Sequence, residues 1–398
     1  MSDAPVLKRL LILRDERLPF IDLDLTDPET GSPLDEICLI GPNACGKSTL
    51  LARLHEAMTG RSRWMELGEA YFLAKWQIEG DDLYFAKPFD GGEGLCFRPA
   101  IESSSEWTQL GQAPPAFEDL RTLFAADLVL EASPGFGSIP SLWCDPEHCL
   151  VDGESPGDLT AFLELSLHER QEAFHRFLRA PGNREKTVAE VEETFEATSP
   201  LALPHLREAW NRLLAPSGFH LELVADEARF VDRSGSSVAM DRLAPSLRRA
   251  LLQVGLAASH PAANLFLDEA GEGMHPSLAL DLLPLFRSLA AAQGERRFMA
   301  TNCPLVASRF APAGRIRFVD DDEGSVTLAR STAAADAPIA TILEIDFGLV
   351  EAAPATHANA PIAPAPSNSS RLKRAIREAD DEGELANLID EVISIRKP

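Results

Sequence analysis

Residues 41–49 constrain the fold of this chain more than any other segment. Their sequence, Gly-Pro-Asn-Ala-Cys-Gly-Lys-Ser-Thr, fits the pattern G-x-x-x-x-G-K-[ST] at every fixed position. The apolar run 37–40 before them predicts a short buried strand, and residues 50–54 predict the start of an amphipathic helix. A glycine-rich turn between a strand and a helix points successive backbone N–H groups toward one centre. The segment therefore predicts an α/β fold with an anion-cradling loop at one edge of its sheet.

The chemistry of this phosphate loop indicates a nucleoside triphosphate with Mg²⁺. Lys47 is placed to reach the β- and γ-phosphates, the Ser48 hydroxyl to hold Mg²⁺, and the following helix adds its positive N-terminal end. A chance glycine-rich turn is the alternative, which the flanking strand and helix disfavour. The predicted nucleotide-binding residues of the loop are Gly41, Pro42, Asn43, Ala44, Cys45, Gly46, Lys47, Ser48 and Thr49.

A second segment supplies acids of the kind that such a site needs. The apolar run 264–267 ends in Asp268 and Glu269. Acids often end strands at a protein surface, so this pattern is weak by itself. Paired with the phosphate loop, it predicts that Asp268 belongs to the Mg²⁺ shell and that Glu269 polarises an attacking water.

The residues after these acids resemble a known family. Residues 268–276, Asp-Glu-Ala-Gly-Glu-Gly-Met-His-Pro, are similar to the D-E-P-E-x-x-L-H-P stretch of ABC-type ATPase heads related to the RecF, SMC and OLD proteins. Residues 298–304 look like that family's strand ending in T-H-S-P, and residues 243–249 sit where it has the signature L-S-x-G-x-x-R. Residues 342–349 resemble the end of its core. The resemblance covers residues 5–60 and 215–350.

Membership of this family implies a fold and a mechanism. The fold is an α/β P-loop NTPase of the ABC-ATPase type, with a mixed sheet, a β subdomain and a helical insertion. Two heads dimerise head to tail, with ATP between the phosphate loop of one subunit and the signature segment of the other. Hydrolysis then separates the heads. Because ATP binds the closed dimer better than the open state, it acts as a switch.

Two positions depart from the family pattern. Ala244 stands at the position of the family's signature serine, and Ser246 stands at the position of its glycine. The hydroxyl that meets the γ-phosphate is therefore absent unless Ser246 supplies it. Asn302 stands at the position of the family's switch histidine; its amide can donate a hydrogen bond but cannot take up and release a proton. We therefore expect ATP binding with slow or partner-dependent hydrolysis, and predict Glu269, Lys47 and Asn302 as catalytic residues. Ordinary family variation with full activity is the alternative.

Smaller predictions concern single residues. Gln77 is a candidate for the family's glutamine at Mg²⁺, which makes Ser48, Asp268 and Gln77 the predicted metal ligands; a solvent-facing glutamine is the alternative. His275 is more typical of a structural turn and a dimer contact than of a base. Arg248 and Arg249 either reach phosphate across the dimer or cover a helix face. Arg53 is expected at the surface.

The chain divides by pattern into five segments. Residues 1–150 are predicted to form the N-terminal part of the head with a β subdomain, and 151–214 a helical insertion. Residues 215–350 complete the head. Residues 351–370, rich in Ala, Pro, Ser and Asn, predict a flexible linker, and 371–398 a helical tail.

Charge and cysteine content restrict the partners. The net charge of −25 favours a protein partner over bare nucleic acid, because DNA-binding proteins usually carry a basic face.

No apolar run reaches membrane length and the N-terminus lacks a secretory pattern, so a cytoplasmic location is expected. Cys144, His148 and Cys149 are three potential zinc ligands without a second pair, and a loop with incidental thiols is the preferred interpretation.

The leading hypothesis is an ATPase subunit that dimerises around ATP and controls a separate effector, such as a nuclease, in bacterial anti-phage defence. One alternative is a DNA repair or recombination ATPase like RecF or SMC, which the net charge does not support. Another is a hydrolysis-deficient ATP-binding scaffold whose role is assembly. ATP and Mg²⁺ are the expected cofactors.

Overall fold

A computed structural model describes residues 5–59, 69–78, 80–89, 95–98, 128–130, 141–145, 149–151, 155, 157–183, 186–198, 203–224, 227–260, 264–289, 296–320, 326–334 and 337–347. Sixteen strands lie in these ranges: β1 Val6–Asp15, β2 Ile21–Asp24, β3 Glu36–Ile40, β4 Ala70–Ile78, β5 Asp81–Lys87, β6 Leu95–Arg98, β7 Leu128–Leu130, β8 Ser141–Cys144, β9 Cys149–Val151, β10 Phe219–Val224, β11 Glu227–Asp232, β12 Ser237–Val238, β13 Asn264–Leu267, β14 Arg297–Thr301, β15 Arg315–Asp320 and β16 Val326–Arg330.

The same ranges contain eight α-helices: α1 Lys47–Thr59, α2 Leu159–Leu178, α3 Val188–Thr198, α4 Leu203–Leu214, α5 Pro245–Ser259, α6 Pro276–Leu289, α7 Pro304–Ala307 and α8 Ile339–Phe347.

A mixed seven-stranded sheet forms the centre of the molecule, in the order β16-β15-β3-β14-β13-β8-β9. The five inner strands run parallel, and β16 and β9 pair antiparallel at the two edges. The inner strands are short apolar runs, as expected for parallel strands covered on both faces. Since their carboxyl ends share one edge, the residues that follow β3, β14, β13 and β8 meet there.

A second, antiparallel sheet is the β subdomain, with the order β2-β1-β4-β5-β6-β7. The pair β4–β5 turns at Gly80, whose φ of 89° lies in the left-handed region, where glycine is favoured. The long strand β1 pairs with β2 on one side and with β4 on the other. A small third sheet, β10-β11-β12, precedes α5.

Two hydrophobic cores lie on the two faces of the central sheet. Alternation along β3 sends Ile37 and Leu39 into the core shared with α1 and the β subdomain, and Cys38 and Ile40 into the core shared with α5 and α6. On the first face, Phe266 of β13 stacks on Phe298 of β14, with ring centroids 4.9 Å apart. The central sheet is thus the middle layer of three.

The helical insertion packs on α5. The α5 residue Gly255 faces Phe162 of α2 and Trp210 of α4 so closely that an added Cβ would lie 2.5 Å from the Phe162 ring. Trp210 also stacks on Phe230 of β11. These contacts join α2, α4, α5 and the three-stranded sheet through one aromatic cluster.

Arg53 is buried, which corrects the expectation of a surface residue. Its guanidinium is 2.7 Å from Asp15 Oδ2 and 2.8 Å from Glu56 Oε2, and all three side chains are at least 95% buried. Glu56 also pairs with Lys87 of β5. The backbone N–H groups of Arg17 and Leu18 donate to Asp15 Oδ1. A chain of charges thus joins α1 to the β subdomain, which spacing within α1 alone does not reveal.

The predicted strand at 37–40, the helix after the phosphate loop and the predicted strand at 264–267 are present as β3, α1 and β13, with bounds that differ by a few residues. Cys144 and Cys149, interpreted as part of a loop with incidental thiols, instead end β8 and begin β9 of the central sheet. The predicted linker 351–370 and tail 371–398 lie outside the described residues. Among the helices that are described, none is long and apolar enough to cross a membrane.

Replacing Arg53 tests how much this buried charge network contributes to stability. Arg53→Ala leaves Asp15 and Glu56 buried without their shared cation, so we expect the free energy of unfolding to fall by about 3–5 kcal/mol. Urea unfolding followed by circular dichroism measures it. The matched control is Arg207→Ala on the exposed face of α4, expected to stay within about 0.5 kcal/mol. A comparable small change for Arg53→Ala would contradict this account.

Candidate functional site

The phosphate loop lies between β3 and α1, at the carboxyl edge of the central sheet. Gly46 has a φ of 102°, which a residue with a side chain rarely adopts, and an added Cβ would lie 2.5 Å from Leu18 Cδ2. At Gly41, an added Cβ would lie 2.8 Å from Cys45 Sγ and 2.9 Å from Phe318 Cβ. Both fixed glycines of the pattern are therefore required by the shape of the loop.

Lys47 is folded back over the loop. Its Nζ donates to Gly41 O at 3.0 Å and to Pro42 O at 2.7 Å, and the residue is only 7% exposed. Burial lowers the pKa of Lys47, while the nearby thiol of Cys45 and the carboxylates of Asp268 and Glu269 oppose this change. The ammonium group is thus held at the centre of the loop, where a phosphate would meet it.

Ser48 and Asp268 contact each other directly. Ser48 Oγ donates to Asp268 Oδ1 at 3.0 Å, across 220 residues of sequence. Both supply hard oxygen donors, the kind that Mg²⁺ prefers, and one or two such protein ligands are typical because Mg²⁺ keeps several waters. The pair fits a magnesium ion held between the phosphate loop and the end of β13.

The backbone around Asp268 is fixed by its neighbours in the sheet. Its N–H donates to Cys144 O at the end of β8, 2.7 Å away. Burial raises the pKa of Asp268, opposed by hydrogen bonds from Ser48 and the Glu269 amide, while the charge of Asp145 adds to the increase. A cation beside Asp268 would therefore relieve an unfavourable buried charge.

Glu269 lies beside Asp268 in a strained conformation. Its φ of 51° is unusual for a residue other than glycine. A side-chain hydrogen bond with Glu272 is the main cause that raises the pKa of Glu269 to about 7, followed by burial. Arg249 Nη2 donates to the carbonyls of Asp268 and Glu269 at 3.3 and 3.2 Å. Such a carboxyl is poised to accept a proton near neutral pH.

Asn302 follows β14 and contacts the phosphate loop. Its Nδ2 donates to Asn43 Oδ1 at 2.5 Å. The preceding Thr301 donates through Oγ1 to Ala270 O at 2.6 Å and accepts from the Cys303 amide. The end of β14 is thus tied both to the loop after Asp268 and to the phosphate loop, at the position predicted for a γ-phosphate sensor.

Ser246 lies on a different part of the molecular surface from the phosphate loop. It lies in the first turn of α5, on the wall of a cavity of about 620 Å³ that also includes Asp145, Arg249 and Glu272. No residue of the phosphate loop lines this cavity. The predicted role of Ser246 across a dimer stays a prediction.

The sheet register does not bring Gln77 to the other predicted metal ligands. Gln77 pairs with Val6, and the next residue, Leu7, accepts a hydrogen bond from Arg296 just before β14 begins. Gln77 therefore lies near the amino-terminal edge of the central sheet. Ser48 and Asp268 lie beyond the carboxyl ends of its strands, and a five-residue strand separates the two edges by about 15 Å. Gln77 lies within β4, which belongs to the β subdomain and not to the central sheet.

Three residues near the site carry roles that sequence reasoning missed. Asp145 lies at the end of β8, a strand too short and too close to cysteines to be recognised. Glu272 follows Glu269 by three residues in a turn, and this spacing is the only signal for their contact. Arg249 was assigned to a dimer contact or a helix face, whereas it holds the carbonyls after β13 within the same chain.

His275 lies immediately before α6, and its interpretation as a structural turn and dimer contact stays a prediction. Its Nδ1 lies 2.9 Å from Ser277 Oγ and accepts from the Ser277 amide, at the start of α6.

Comparison with solved structures finds 124 similar chains, among them head domains of SMC proteins. One is the SMC head domain from Thermotoga maritima, with a TM-score of 0.40 and 13% identity over 82% of this chain and 98% of the other. The second is an SmcHead bound to the C-winged helix domain of ScpA, with a TM-score of 0.43 and 11% identity over 81% of this chain and 97% of the other. No family model matches the sequence, and no curated protein matches it.

The predicted fold class is confirmed. The chain has an α/β P-loop fold with a mixed seven-stranded sheet, an antiparallel β subdomain and a helical insertion.

The Glu269–Glu272 contact predicts a measurable titration. In a protein with ¹³C-labelled glutamate, we expect the Glu269 carboxyl to titrate with a midpoint near 7, above the ordinary 4.5. Glu272→Gln replaces the carboxyl partner by an amide that donates to the charged form, so the midpoint should move to lower pH. The control Glu208→Gln on α4 should leave it unchanged. A midpoint near 4.5 in the parent protein would contradict the contact.

Proposed function

We propose that this chain binds Mg·ATP and hydrolyses it slowly, as an ABC-type ATPase subunit that dimerises around ATP and controls a separate effector protein. The observation that carries the proposal is the hydrogen bond between Ser48 and Asp268, with Lys47 directly beside it. It joins the two halves of a triphosphate site that the sequence separates by 220 residues.

The phosphate loop and the end of β13 support the nucleotide-binding part of the proposal. The loop amides and Lys47 would bind the phosphates, and Ser48 and Asp268 would hold Mg²⁺, which would supply positive charge to offset that of the phosphates. Cys45 contacts Lys47 Nζ at 3.9 Å, which places a polarisable group on the loop wall. These features support tight binding of ATP.

The catalytic half supports slow turnover. Glu269 is the base for an attacking water, and its carboxyl is partly protonated near neutral pH because of Glu272. Asn302 donates a hydrogen bond toward the γ-phosphate but cannot shuttle a proton. Ala244 lacks the hydroxyl that the family's signature serine supplies. Hydrolysis therefore depends on a partner subunit or an effector to complete the site.

Control of an effector in anti-phage defence is the biological role we propose. It rests on the resemblance to stand-alone ATPase heads and on the net charge of −25, which favours a protein partner. A DNA repair ATPase is the rival, and it requires a basic groove that this charge does not favour. A hydrolysis-deficient scaffold is the other rival. Recovery of the tagged protein from its host with and without ATP, followed by mass spectrometry, separates an effector from DNA.

Substitutions of Lys47 and Glu269 separate binding from hydrolysis. Lys47→Met removes the cation at the phosphates, so we expect loss of detectable Mg·ATP binding by calorimetry. Glu269→Gln removes the base but keeps the shape, so binding persists while single-turnover hydrolysis falls about 10²–10⁴-fold. Light scattering should detect a dimer of Glu269→Gln with ATP and a monomer with Lys47→Met. Equal hydrolysis by the parent and Glu269→Gln proteins would refute the assigned base.

Asn302→His tests whether the altered sensor limits turnover. A histidine at this position can hold and release a proton, so we expect the rate of ATP hydrolysis by the isolated protein to rise at least about tenfold. Asn302→Gln, which keeps an amide, is the control and should give no increase. Rapid turnover by the parent protein, matched by Asn302→His, would contradict slow hydrolysis.

A further inference from the structure

Two cysteines face each other at the end of β8 and the start of β9. Cys144 and Cys149 are direct partners in the antiparallel register. Their side chains form a hydrogen bond, and both are buried, at 0% and 6% exposure. Of the cysteines, all six of which are reduced, no other two are paired across strands in the described ladders.

This thiol pair is linked to the metal-binding edge through one hydrogen bond. The carbonyl of Cys144 accepts from the Asp268 amide at 2.7 Å. In the parallel pairing of β8 with β13, Cys144 lies opposite Leu267, the residue before Asp268. Any movement of Cys144 toward β9 therefore lengthens the bond that fixes the Asp268 backbone.

The cavity gives small molecules a route to one of the two thiols. Cys149 lines the 620 Å³ cavity together with Ser246, Arg248 and Arg249, whereas Cys144 lies behind it. Burial and the hydrogen bond between the two thiols raise the pKa of Cys144. Cys149 is thus the thiol that a reagent in the cavity meets first, and Cys144 is positioned to react with the product.

We propose that Cys144 and Cys149 form a reversible disulfide in response to a hydroperoxide, and that this bond loosens the anchor of Asp268. The sulfur of Cys149 attacks a peroxide oxygen, the O–O bond breaks, and a sulfenic acid and one water form from hydrogen peroxide. The sulfur of Cys144 then attacks the sulfenic sulfur, and the second water leaves with the Cys144 proton. The two thiols lose two electrons and the peroxide gains them. A dithiol reductant restores the pair by exchange.

The geometry requires only a small movement. Cβ atoms of directly opposite residues lie about 4.5–5.5 Å apart, and a disulfide needs about 3.5–4.5 Å, so the strands must close by about 1 Å. Strand β9 is three residues long and lies at the edge of the sheet, so it takes up part of this movement, and the displacement of Cys144 toward β9 takes up the rest. If the proposed function holds, weakening the Asp268 anchor also weakens the binding of Mg·ATP.

Peptide mapping and hydrogen exchange of the full chain test the proposal without nucleotide. After treatment with hydrogen peroxide and alkylation, cleavage at Asp145 or Glu147 yields two peptides that remain joined only by the Cys144–Cys149 bond. We expect this linked product, its loss with dithiothreitol, and amide exchange about tenfold faster in the peptide around Asp268.

Three variants serve as controls. Cys144→Ser should give no linked product and no faster exchange under the same peroxide, which excludes effects of oxidation at Cys45 or Cys303. Cys149→Ser should behave likewise. Cys96→Ser, a buried cysteine of β6, should retain both signals. Linkage only in urea, or linkage with unchanged exchange around Asp268, would overturn the proposal. Neither result depends on whether the chain hydrolyses ATP.

Discussion

The parallel register of β3, β14, β13 and β8 is the constraint on which the site depends. Parallel strands end at a common edge. The sheet register therefore brings together the phosphate loop, Asn302, Asp268 and Asp145, which lie far apart in the sequence. The ladder sets spacing as well as proximity, because adjacent strands lie about 4.8 Å apart. That spacing allows Ser48 to reach Asp268 and Asn302 to reach Asn43 in the same layer.

The charges that hold the phosphate loop from behind are as important as those that face a phosphate. Arg53, Asp15 and Glu56 form a buried group that connects α1 to β1, and the same Asp15 accepts the amide of Leu18, which packs on Gly46. Desolvation makes such a group costly unless every charge is paired. Once its charges are paired, this group fixes the angle at which α1 leaves the loop, and this angle sets the direction in which the N-terminus of α1 points.

Local pattern allowed the fold and half of the site to be predicted, and long-range register accounts for what was missed. The glycines of the phosphate loop and the acids after β13 are recognisable because their chemistry fixes residue type and spacing. Gln77 was misplaced because strand-like sequence does not say which sheet a strand joins. Arg53 was assigned to the surface because its partner Asp15 is 38 residues away. Asp145 escaped notice because β8 has only four residues.

Lys47, Ser48 and Asn302 already donate hydrogen bonds within the site, and this sets what a ligand must offer. Lys47 donates to two loop carbonyls, Ser48 to Asp268, and Asn302 to Asn43. A ligand that binds here has to replace these hydrogen bonds with stronger, charge-assisted ones. Under the proposed function, a triphosphate with a divalent cation would do so at all three points at once, whereas a single phosphate or a neutral molecule would reach only one. Selectivity for Mg·ATP would then follow from the internal pairing of the site as much as from the motif.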